Sequence, residues 1–250
     1  MISRFLLGFV VLGAMASLSV SDAKERAPDA CVHRSFEGEG FVVCRFNPRT
    51  DRIRLVWKSA RGAAYRTFDR LEHDTEVAKL RFAMNAGMFD PAGAPIGLYV
   101  QKGKELHAIN TANGPGNFHL KPNGVFWIDG RGSPHVSTAD GYIADAPAPI
   151  WATQSGPMLV IKGKLHPAIN ADGDSRYVRN GVGVGRGGDA FFVISDAPVS
   201  FGKLARLFRD ELDCSNALYL DGSVSSLWAP SMKRKDAGAD LGPMVVVTSP

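Results

Sequence analysis

The carboxylate of Asp221 directly follows an apolar run, at a position suited to ligand binding or catalysis. Ala217–Leu220 is apolar and aromatic, Asp221 and Gly222 follow it, and three serines occur within the next four residues. A buried strand that ends in such a segment places a negative charge at the edge of a sheet, among backbone N–H groups and hydroxyls. The segment therefore predicts a site for a polar ligand, with an ordinary Asp-Gly turn as the structural alternative.

Other polar segments interrupt the apolar runs along the chain. They are Asn85–Phe89, Asn117–His119, Pro122–Gly124, Gln154–Pro157 and Arg179–Gly181. Four of them combine a glycine or proline with amide, hydroxyl or guanidinium side chains. The fifth, Asn117–His119, has amide and imidazole side chains and precedes Pro122–Gly124. Connecting segments of this kind carry binding and catalytic residues more often than the elements between them.

Three well-known functional motifs are absent or incomplete. Gly183–Gly188 has the glycine spacing of a dinucleotide site, but Asp189–Ile194 after it is typical of a strand, whereas a pyrophosphate needs a helix N-terminus. The six histidines show no metal-ligand spacing, and no Gly-x-Ser-x-Gly elbow of a serine hydrolase occurs. We therefore predict no cofactor and no metal, and a glycine-rich strand with a hairpin turn at Gly183–Gly188.

The elements that must position the polar segments are mostly strands. Apolar runs predict strands at Phe41–Phe46, Ile53–Trp57, Leu80–Met84, Gly97–Gln101, Val125–Ile128, Met158–Lys162, Ala190–Ile194, Ala217–Leu220 and Met244–Thr248. Helical periodicity predicts one helix near Phe68–Ala78 and another over Phe201–Leu212, with Ser200 as its N-cap. This arrangement predicts a single α+β domain with a mixed, largely antiparallel sheet and a few packed helices.

Two candidate hairpins have similar sequences. Val100–Asn110 and Val160–Asn170 each read as a strand, a Lys-Gly turn and a returning strand. The first hairpin follows Asn85–Gly87 and the second follows Gln154–Gly156. Chance similarity is one explanation. The other is that related hairpins carry both polar segments toward one site.

The N-terminus predicts export. Met1–Arg4 carries one positive charge, Phe5–Leu18 is uncharged and mostly apolar, and Ser21–Ala23 fits a cleavage site. We interpret residues 1–23 as a signal peptide, with an uncleaved anchor as the alternative. Residues 24–250 are then one domain of a periplasmic or secreted protein.

Charge and cysteine content indicate which partners and which disulfide to expect. The net charge of +4 is mild and dispersed, and no stripe of Lys and Arg with interleaved aromatics predicts nucleic-acid binding. We also expect no stable membrane insertion after cleavage. Three cysteines in an exported protein predict one disulfide, which we assign to Cys31 and Cys44 because they flank a turn-forming segment. Cys214 is then a buried thiol, although the sequence alone leaves the other pairings open.

The polar segments, in this order, resemble the phosphodiester glycosidase family, and especially its bacterial branch of exported proteins. The similarity extends from about Cys31 to the C-terminus, where the chain has Leu241–Met244. It implies an α+β fold and hydrolysis of a sugar-1-phosphodiester to free sugar and a phosphomonoester. The site positions that it implies are Asn85, Gly87, Ser155, Gly156, Arg179, Asp221, Gly222 and Ser225. Animal members have a longer glycine run after the aspartate, where this chain has Ser223 and Val224.

The chemistry of that bond suggests a role for each residue. Breaking the C1–O bond passes through an oxocarbenium-like state, which Asp221 would stabilise electrostatically or by attack. The departing phosphate needs positive charge and N–H donors, which Arg179 and Gly222–Ser226 would supply. The amides of Asn85 and Gln154 suit sugar hydroxyls or an acetamide. A structural salt bridge is the alternative role for Arg179, and turn capping is the alternative for Asn85.

We therefore predict Asp221, Arg179 and Asn85 as catalytic residues. The predicted substrate-binding residues are Gly87, Gln154, Ser155, Gly156, Gly222, Ser223 and Ser225. The expected substrate is a carbohydrate phosphodiester of the envelope or of an exopolysaccharide. Two alternatives stay open: a non-catalytic envelope or exopolysaccharide-binding protein that keeps the pocket, and an esterase or phosphodiesterase with Ser155 or Ser223 as nucleophile. No base with recognisable spacing accompanies either serine.

Overall fold

The computed structural model describes residues 1–2 and 29–250, so the predicted signal peptide at 1–23 lies outside the described residues apart from the first two. The strands are β1 Cys31–Phe36, β2 Glu39–Phe46, β3 Arg52–Val56, β4 Leu80–Asn85, β5 Tyr99–Gln101, β6 Lys104–His107, β7 Gly124–Ile128, β8 Pro134–Thr138, β9 Trp151–Ser155, β10 Met158–Ile161, β11 Lys164–Leu165, β12 Asn180–Gly185, β13 Ala190–Ser195, β14 Cys214–Tyr219, β15 Leu227–Ala229, β16 Arg234–Lys235 and β17 Met244–Thr248. The α-helices are α1 Phe68–Glu72, α2 Ala139–Asp145 and α3 Phe201–Arg206.

The predicted α+β class is confirmed, and every predicted strand run overlaps an observed strand. The strand pairs of the described residues are all antiparallel, but they form three sheets and not one. Strand β9 is among the strands that the apolar runs do not predict, because Thr153 and Gln154 interrupt its apolar pattern although both side chains are buried. The domain boundaries at 24 and 250 stay a prediction.

The largest sheet has the strand order β1-β2-β13-β12-β14-β10-β11. Cys31 and Cys44 lie opposite each other across β1 and β2 and form a disulfide, so the predicted pairing is confirmed. Cys214 is a buried free thiol. The segment Gly183–Gly188 contains the end of β12 and its turn into β13, as its sequence predicts.

Two five-stranded sheets complete the fold, with the orders β16-β15-β4-β17-β3 and β6-β5-β9-β7-β8. One hydrophobic cluster takes residues from all three sheets. At its centre the ring of Phe192 lies 5.5 Å from that of Phe82 and 5.3 Å from that of Phe126. Truncating such a side chain to alanine costs about 3–5 kcal/mol, so these contacts between sheets contribute strongly to stability.

The two predicted helices are present but are not regular over their predicted lengths. Ser200 caps α3 by accepting a hydrogen bond from the backbone N–H of Lys203 at 3.1 Å, so the predicted cap is confirmed. The chain then continues as a π-turn over Leu207–Glu211. Helix α1 ends at Glu72, where the Thr75 hydroxyl donates to the Leu71 carbonyl at 2.8 Å and favours a turn over further helix.

The two similar hairpins lie in different sheets. The β5–β6 hairpin belongs to the third sheet, and the β10–β11 hairpin lies at the edge of the first. The polar segments that precede them nevertheless meet, because a Cβ atom at Gly87 would overlap the carbonyl oxygen of Gln154. In the part of the chain that the structure describes, no helix has the length and apolar character of a membrane span.

Candidate active site

The predicted site lies where ends of strands from two sheets meet. Asn85 is the last residue of β4 in the second sheet, Asn180 is the first residue of β12 in the first sheet, and Asp221 lies two residues beyond β14. The segments that the sequence presents as polar loops therefore begin or end strands. Side chains at such positions are held by the sheet and keep a defined orientation.

Asn85 connects these strand ends through its amide group. Its Nδ2 donates to the carbonyl oxygen of Asp221 at 2.7 Å. Its Oδ1 accepts from Nδ2 of Asn180 at 2.8 Å and from the backbone N–H of Ser226 at 2.9 Å. The side chain is buried, and its oxygen has both acceptor positions occupied. These contacts make Asn85 a positioning residue for the Asp221 segment, with no free amide oxygen for a ligand.

The Asp221 segment folds into a short 3-10 turn over Gly222–Val224. The Asp221 carboxylate accepts from the backbone N–H of Ser223 at 3.1 Å, which caps the turn. Gly222 is required by close approach, since a Cβ atom there would overlap the hydroxyl of Tyr219. The Ser225 hydroxyl lies 3.0 Å from the Val178 carbonyl, which ties the segment to the residue before Arg179.

Asp221 is a buried carboxylate, with 8% of its surface exposed. Burial raises the pKa of Asp221, and hydrogen bonds from the Ser223 backbone and side chain oppose that rise. Desolvation disfavours the ionised form, so the carboxylate is a stronger base and a stronger electrostatic stabiliser than an exposed aspartate.

Arg179 is enclosed by aromatic rings and backbone carbonyls. Its side chain is buried, and its guanidinium carbon lies 3.6 Å from the centre of the Phe201 ring. Nε donates to the Val199 carbonyl at 2.9 Å, and Nη1 donates to the Tyr219 hydroxyl at 3.2 Å. Nη2 donates to the carbonyl and the hydroxyl of Ser175 at 3.0 and 3.1 Å. Four of the five guanidinium N–H groups are therefore occupied, which leaves one on Nη1.

The positive charge of Arg179 has no carboxylate partner among residues 29–250, so the structure does not contain the salt bridge considered as its alternative role. Burial lowers the pKa of Arg179 from its usual value, but a guanidinium stays charged at neutral pH. A buried cation without a counterion is costly. An anionic ligand that reaches Nη1 would remove much of that cost.

A cavity of about 1120 Å³ opens beside these residues. Four of the predicted site residues line it, namely Arg179, Gly222, Ser223 and Ser225. The other lining residues are Asn117, Ser175, Tyr177, Val178, Ser195, Asp196, Tyr219, Val224, Ser226, Arg234, Asp236, Ala237, Gly238 and Ala239. Asp221 itself does not line the cavity, but the turn that follows it does.

The remaining predicted residues lie behind the cavity or away from it. Gln154 binds backbone on all sides: Oε1 accepts from the N–H groups of Leu98 and Asn110 at 2.9 and 2.8 Å, and Nε2 donates to the Asn110 carbonyl at 2.7 Å. Its amide is therefore not directed at a ligand. Gly87 packs against the carbonyl oxygen of Gln154, as described above.

Ser155 and Gly156 occupy a second tightly packed position. The Ser155 hydroxyl is buried and has no hydrogen-bond partner among the described residues, and no base lies within hydrogen-bond distance of it. A Cβ atom at Gly156 would lie 3.3 Å from the carbonyl oxygen of Asn117, which is a cavity-lining residue. The segment therefore supports the cavity wall, and the arrangement does not favour Ser155 as a nucleophile.

Several residues of the cavity wall are not among the predicted site residues. Tyr177 is 62% exposed there, at a position fixed by backbone hydrogen bonds with Val199 on both sides. Arg234 lies 2.8 Å from Asp236 and 3.6 Å from Asp196, and all three side chains line the cavity. Only the position of Tyr177 two residues before Arg179 could have indicated its role, since the other three lie in segments with no motif.

The described residues contain no group of three or more His, Cys, Asp or Glu side chains that could hold a metal ion. The positive charge in this cavity is supplied by arginine side chains, with Arg179 buried and Arg234 paired to carboxylates.

Comparison with known proteins identifies the family. Residues 78–248 match the sequence profile of the family described as phosphodiester glycosidase. The chain is 35% identical over 183 residues to "Uncharacterized protein YigE" of Escherichia coli (strain K12), an alignment that covers 73% of this chain and 71% of the relative.

Solved structures share the fold at low sequence identity. The zebrafish N-acetylglucosamine-1-phosphodiester alpha-N-acetylglucosaminidase catalytic domain, auto-inhibited by its pro-peptide, superposes with a TM-score of 0.60 at 14% identity, over 88% of this chain and 81% of that one. A hypothetical protein from Synechocystis superposes with a TM-score of 0.55 at 14% identity, over 88% of this chain and 61% of that one. These likenesses establish the fold.

Proposed function

Because the chain belongs to the phosphodiester glycosidase family, we propose that it is an exported hydrolase that cleaves a sugar-1-phosphodiester. The products would be a free sugar and a phosphomonoester. The observation that carries the proposal is Arg179, a buried cation with no carboxylate partner in the described part of the chain, which lines a cavity beside the Asp221 turn. A phosphodiester supplies the negative charge that this position lacks.

The single free N–H of Arg179 limits how it acts on phosphate. With its other four N–H groups bound to protein, the guanidinium offers one hydrogen bond and a point charge, and not the bidentate contact that a free guanidinium can make with phosphate. Because Val199, Tyr219 and Ser175 already hold it, it needs no reorganisation when charge develops on the leaving phosphate. Preorganised charge of this kind stabilises a transition state more than a flexible side chain does.

Asp221 is the candidate for the sugar side of the bond. Cleavage of C1–O leaves positive charge on the anomeric carbon, which a nearby carboxylate stabilises. Asn85 holds the Asp221 backbone and Ser223 holds its carboxylate, so its position is fixed from both sides. The phosphate leaves without the strong proton donation that an alcohol would need, and the electron pair of the C1–O bond departs with it.

Tyr177 provides a surface for the sugar. Its ring is exposed in the cavity wall, and the guanidinium carbon of Arg179 lies 5.4 Å from the ring centre. An exposed aromatic face beside a cation suits a ligand with an apolar sugar face next to an anionic group. We assign the sugar to Tyr177 and the phosphate to Arg179.

The proposed location is the periplasm or the outside of the cell. The Cys31–Cys44 disulfide supports an oxidising compartment. An exported enzyme of this chemistry would meet glycosyl phosphodiesters in envelope or exopolysaccharide glycans, which we propose as its substrates.

The bond that breaks distinguishes this function from a phosphodiesterase. Incubation with a panel of sugar-1-phosphodiesters in ¹⁸O-labelled water should place the label in the released sugar and none in the phosphomonoester, measured by mass spectrometry. The Asp221→Asn variant, purified in parallel, should release sugar on the order of 10²–10³-fold more slowly and controls for contaminating hydrolases. Label in the phosphate would show P–O cleavage and contradict the proposal.

A glycan-binding protein without catalysis is the second candidate, because Asp221 itself does not line the cavity. A binding protein would bind a sugar-1-phosphodiester, as measured by calorimetry, and would release no product during long incubation. The Asp221→Asn variant would then bind as the unchanged protein does. Any turnover that depends on Asp221 excludes this candidate.

A further inference from the structure

A second concave surface carries positive charge and is separate from the candidate active site. This groove, of about 1060 Å³, lies between β3 with the segment after it and the β5–β6 hairpin. Its charged lining residues are Arg54, Lys58, Lys102, Lys104 and Asp74. It shares no lining residue with the cavity around Arg179, so it is independent of the proposed catalytic function.

The cations of the groove have no ion-pair partners among residues 29–250. Arg54 donates to the Thr75 hydroxyl at 3.3 Å, and Lys58 lies 3.9 Å from the centre of the Trp57 ring. Lys102 and Lys104 are exposed on the hairpin turn. The one carboxylate of the lining, Asp74, accepts a hydrogen bond from the Tyr65 hydroxyl at 2.8 Å.

Elsewhere on the surface, many cations are neutralised by neighbours. Arg206 pairs with Glu37 at 2.6 Å, Lys235 pairs with Asp69 at 2.6 Å, and Arg45 pairs with Asp189 at 2.6 Å. Four cations without an ion-pair partner therefore lie together at the groove, although the net charge of the whole chain is mild. Such a surface attracts anions and concentrates them locally.

The uncharged part of the lining is mixed, with Ser59 and Gln101 beside apolar residues. Of its apolar residues, Leu106 is 43% exposed and Trp151 is half-buried, whereas Leu55 and Val56 lie buried beneath the surface. Cations around apolar side chains suit a polymer whose rings have apolar faces and whose substituents are anionic. We propose that the groove binds an anionic polysaccharide, with the lysines of the hairpin turn contacting its carboxylate or phosphodiester groups.

Single-stranded nucleic acid fits this groove less well. Sequence-independent binding of bases needs exposed aromatic rings on which the bases stack. The two aromatic side chains of the lining are Tyr65, which is 6% exposed, and Trp151, which is half-buried. One half-buried ring does not provide the series of stacking faces that successive bases need.

The chain contains its own matched control for this proposal. Lys102-Gly103-Lys104 and Lys162-Gly163-Lys164 are identical tripeptides in hairpin turns, with φ values of 53° and 75° in the first and 48° and 76° in the second. All four lysines are exposed, and neither pair forms a salt bridge within the described residues. Only the first pair lines the groove. Reversing either pair to glutamate therefore changes the net charge and the turn geometry equally.

The experiment measures binding of full mature protein to polygalacturonate, a glycerol-phosphate polymer, neutral dextran and a single-stranded oligonucleotide. In about 50 mM salt, Lys102→Glu with Lys104→Glu should weaken binding to the anionic polysaccharide by about tenfold or more. Lys162→Glu with Lys164→Glu should change it by less than about twofold, and dextran should not bind. Thermal melts check that both variants are folded.

Preference for polygalacturonate would identify carboxylates as the ligand groups, and preference for the glycerol-phosphate polymer would identify phosphodiesters. Either result supports the proposal. Equal weakening in both variants, no weakening in the groove variant, or no binding by the unchanged protein would overturn it. Tighter binding of the oligonucleotide than of both anionic polymers, with the same dependence on Lys102 and Lys104, would also overturn it.

Discussion

Replacing Asp221 by asparagine should remove activity without harming the fold. Asparagine keeps the size of the side chain and an oxygen that can accept from the Ser223 N–H, while the backbone contact to Asn85 does not involve the side chain of residue 221 at all. The substitution therefore removes one negative charge and little else. A residue whose role is structural could not be changed in this way without loss of stability.

The expected loss of turnover follows from the burial of the carboxylate. Preorganised electrostatic groups in water-excluded sites contribute about 3–4 kcal/mol to transition-state stabilisation, so kcat should fall on the order of 10²–10³-fold. If Asp221 also attacks the anomeric carbon, the loss should be larger. Substrate affinity should change little, because the charge on the sugar develops only in the transition state.

Stability should respond in the opposite direction to activity. Burial raises the pKa of Asp221 above its value in the unfolded chain, so the folded state favours the protonated form. The stability associated with that proton is complete below the unfolded pKa and is lost as the pH rises through the folded pKa. The Asn variant should therefore melt at or above the temperature of the unchanged protein at pH 7, and this advantage should shrink below about pH 4.

The assay combines steady-state kinetics on a sugar-1-phosphodiester with thermal melts over a pH series. The matched control is Asp145→Asn, which removes an exposed carboxylate at the end of α2 and should leave kcat within about twofold. The acid limb of kcat/KM for the unchanged protein should lie above the usual pKa of aspartate, because only ionised Asp221 is active. Near-normal turnover in a folded Asp221→Asn protein, or a lower melting temperature at pH 7, would refute the reasoning.

Three further substitutions test the rest of the structure. Arg179→Lys should raise KM and destabilise the fold by roughly 2–4 kcal/mol, because one ammonium cannot reach Val199, Tyr219 and Ser175 together; unchanged KM and melting temperature would contradict this. Tyr177→Ala should raise KM about tenfold at nearly constant kcat, whereas Tyr177→Phe should behave as the unchanged protein, both measured by steady-state kinetics. Cys31→Ser should lower stability by about 3 kcal/mol in denaturant titrations, and an unchanged midpoint would show that the disulfide constrains little.

The local parts of the fold could be predicted because they depend on neighbours in the chain. Apolar runs of the length of a strand gave the strands, Ser200 before an amphipathic run gave the cap of α3, and a turn-forming segment between Cys31 and Cys44 gave the disulfide. Strand β9 was missed because the polar residues Thr153 and Gln154 interrupt its apolar pattern. Both are nevertheless buried, because the tertiary structure encloses them. The division into three sheets depends on pairings between distant strands, which no local pattern encodes.

The sequence by itself determined the family, the α+β class and the order of polar segments that build the site, since these are properties of residue type and spacing. Only the tertiary structure decided which of those side chains remain available to a ligand. The amide groups of Asn85 and Gln154 are hydrogen-bonded to other residues of the protein, and Arg179 has one of its five N–H donors free for a ligand. The reason is physical: a buried polar group must be satisfied, and its partners come from residues far away in the sequence whose positions only the folded chain fixes.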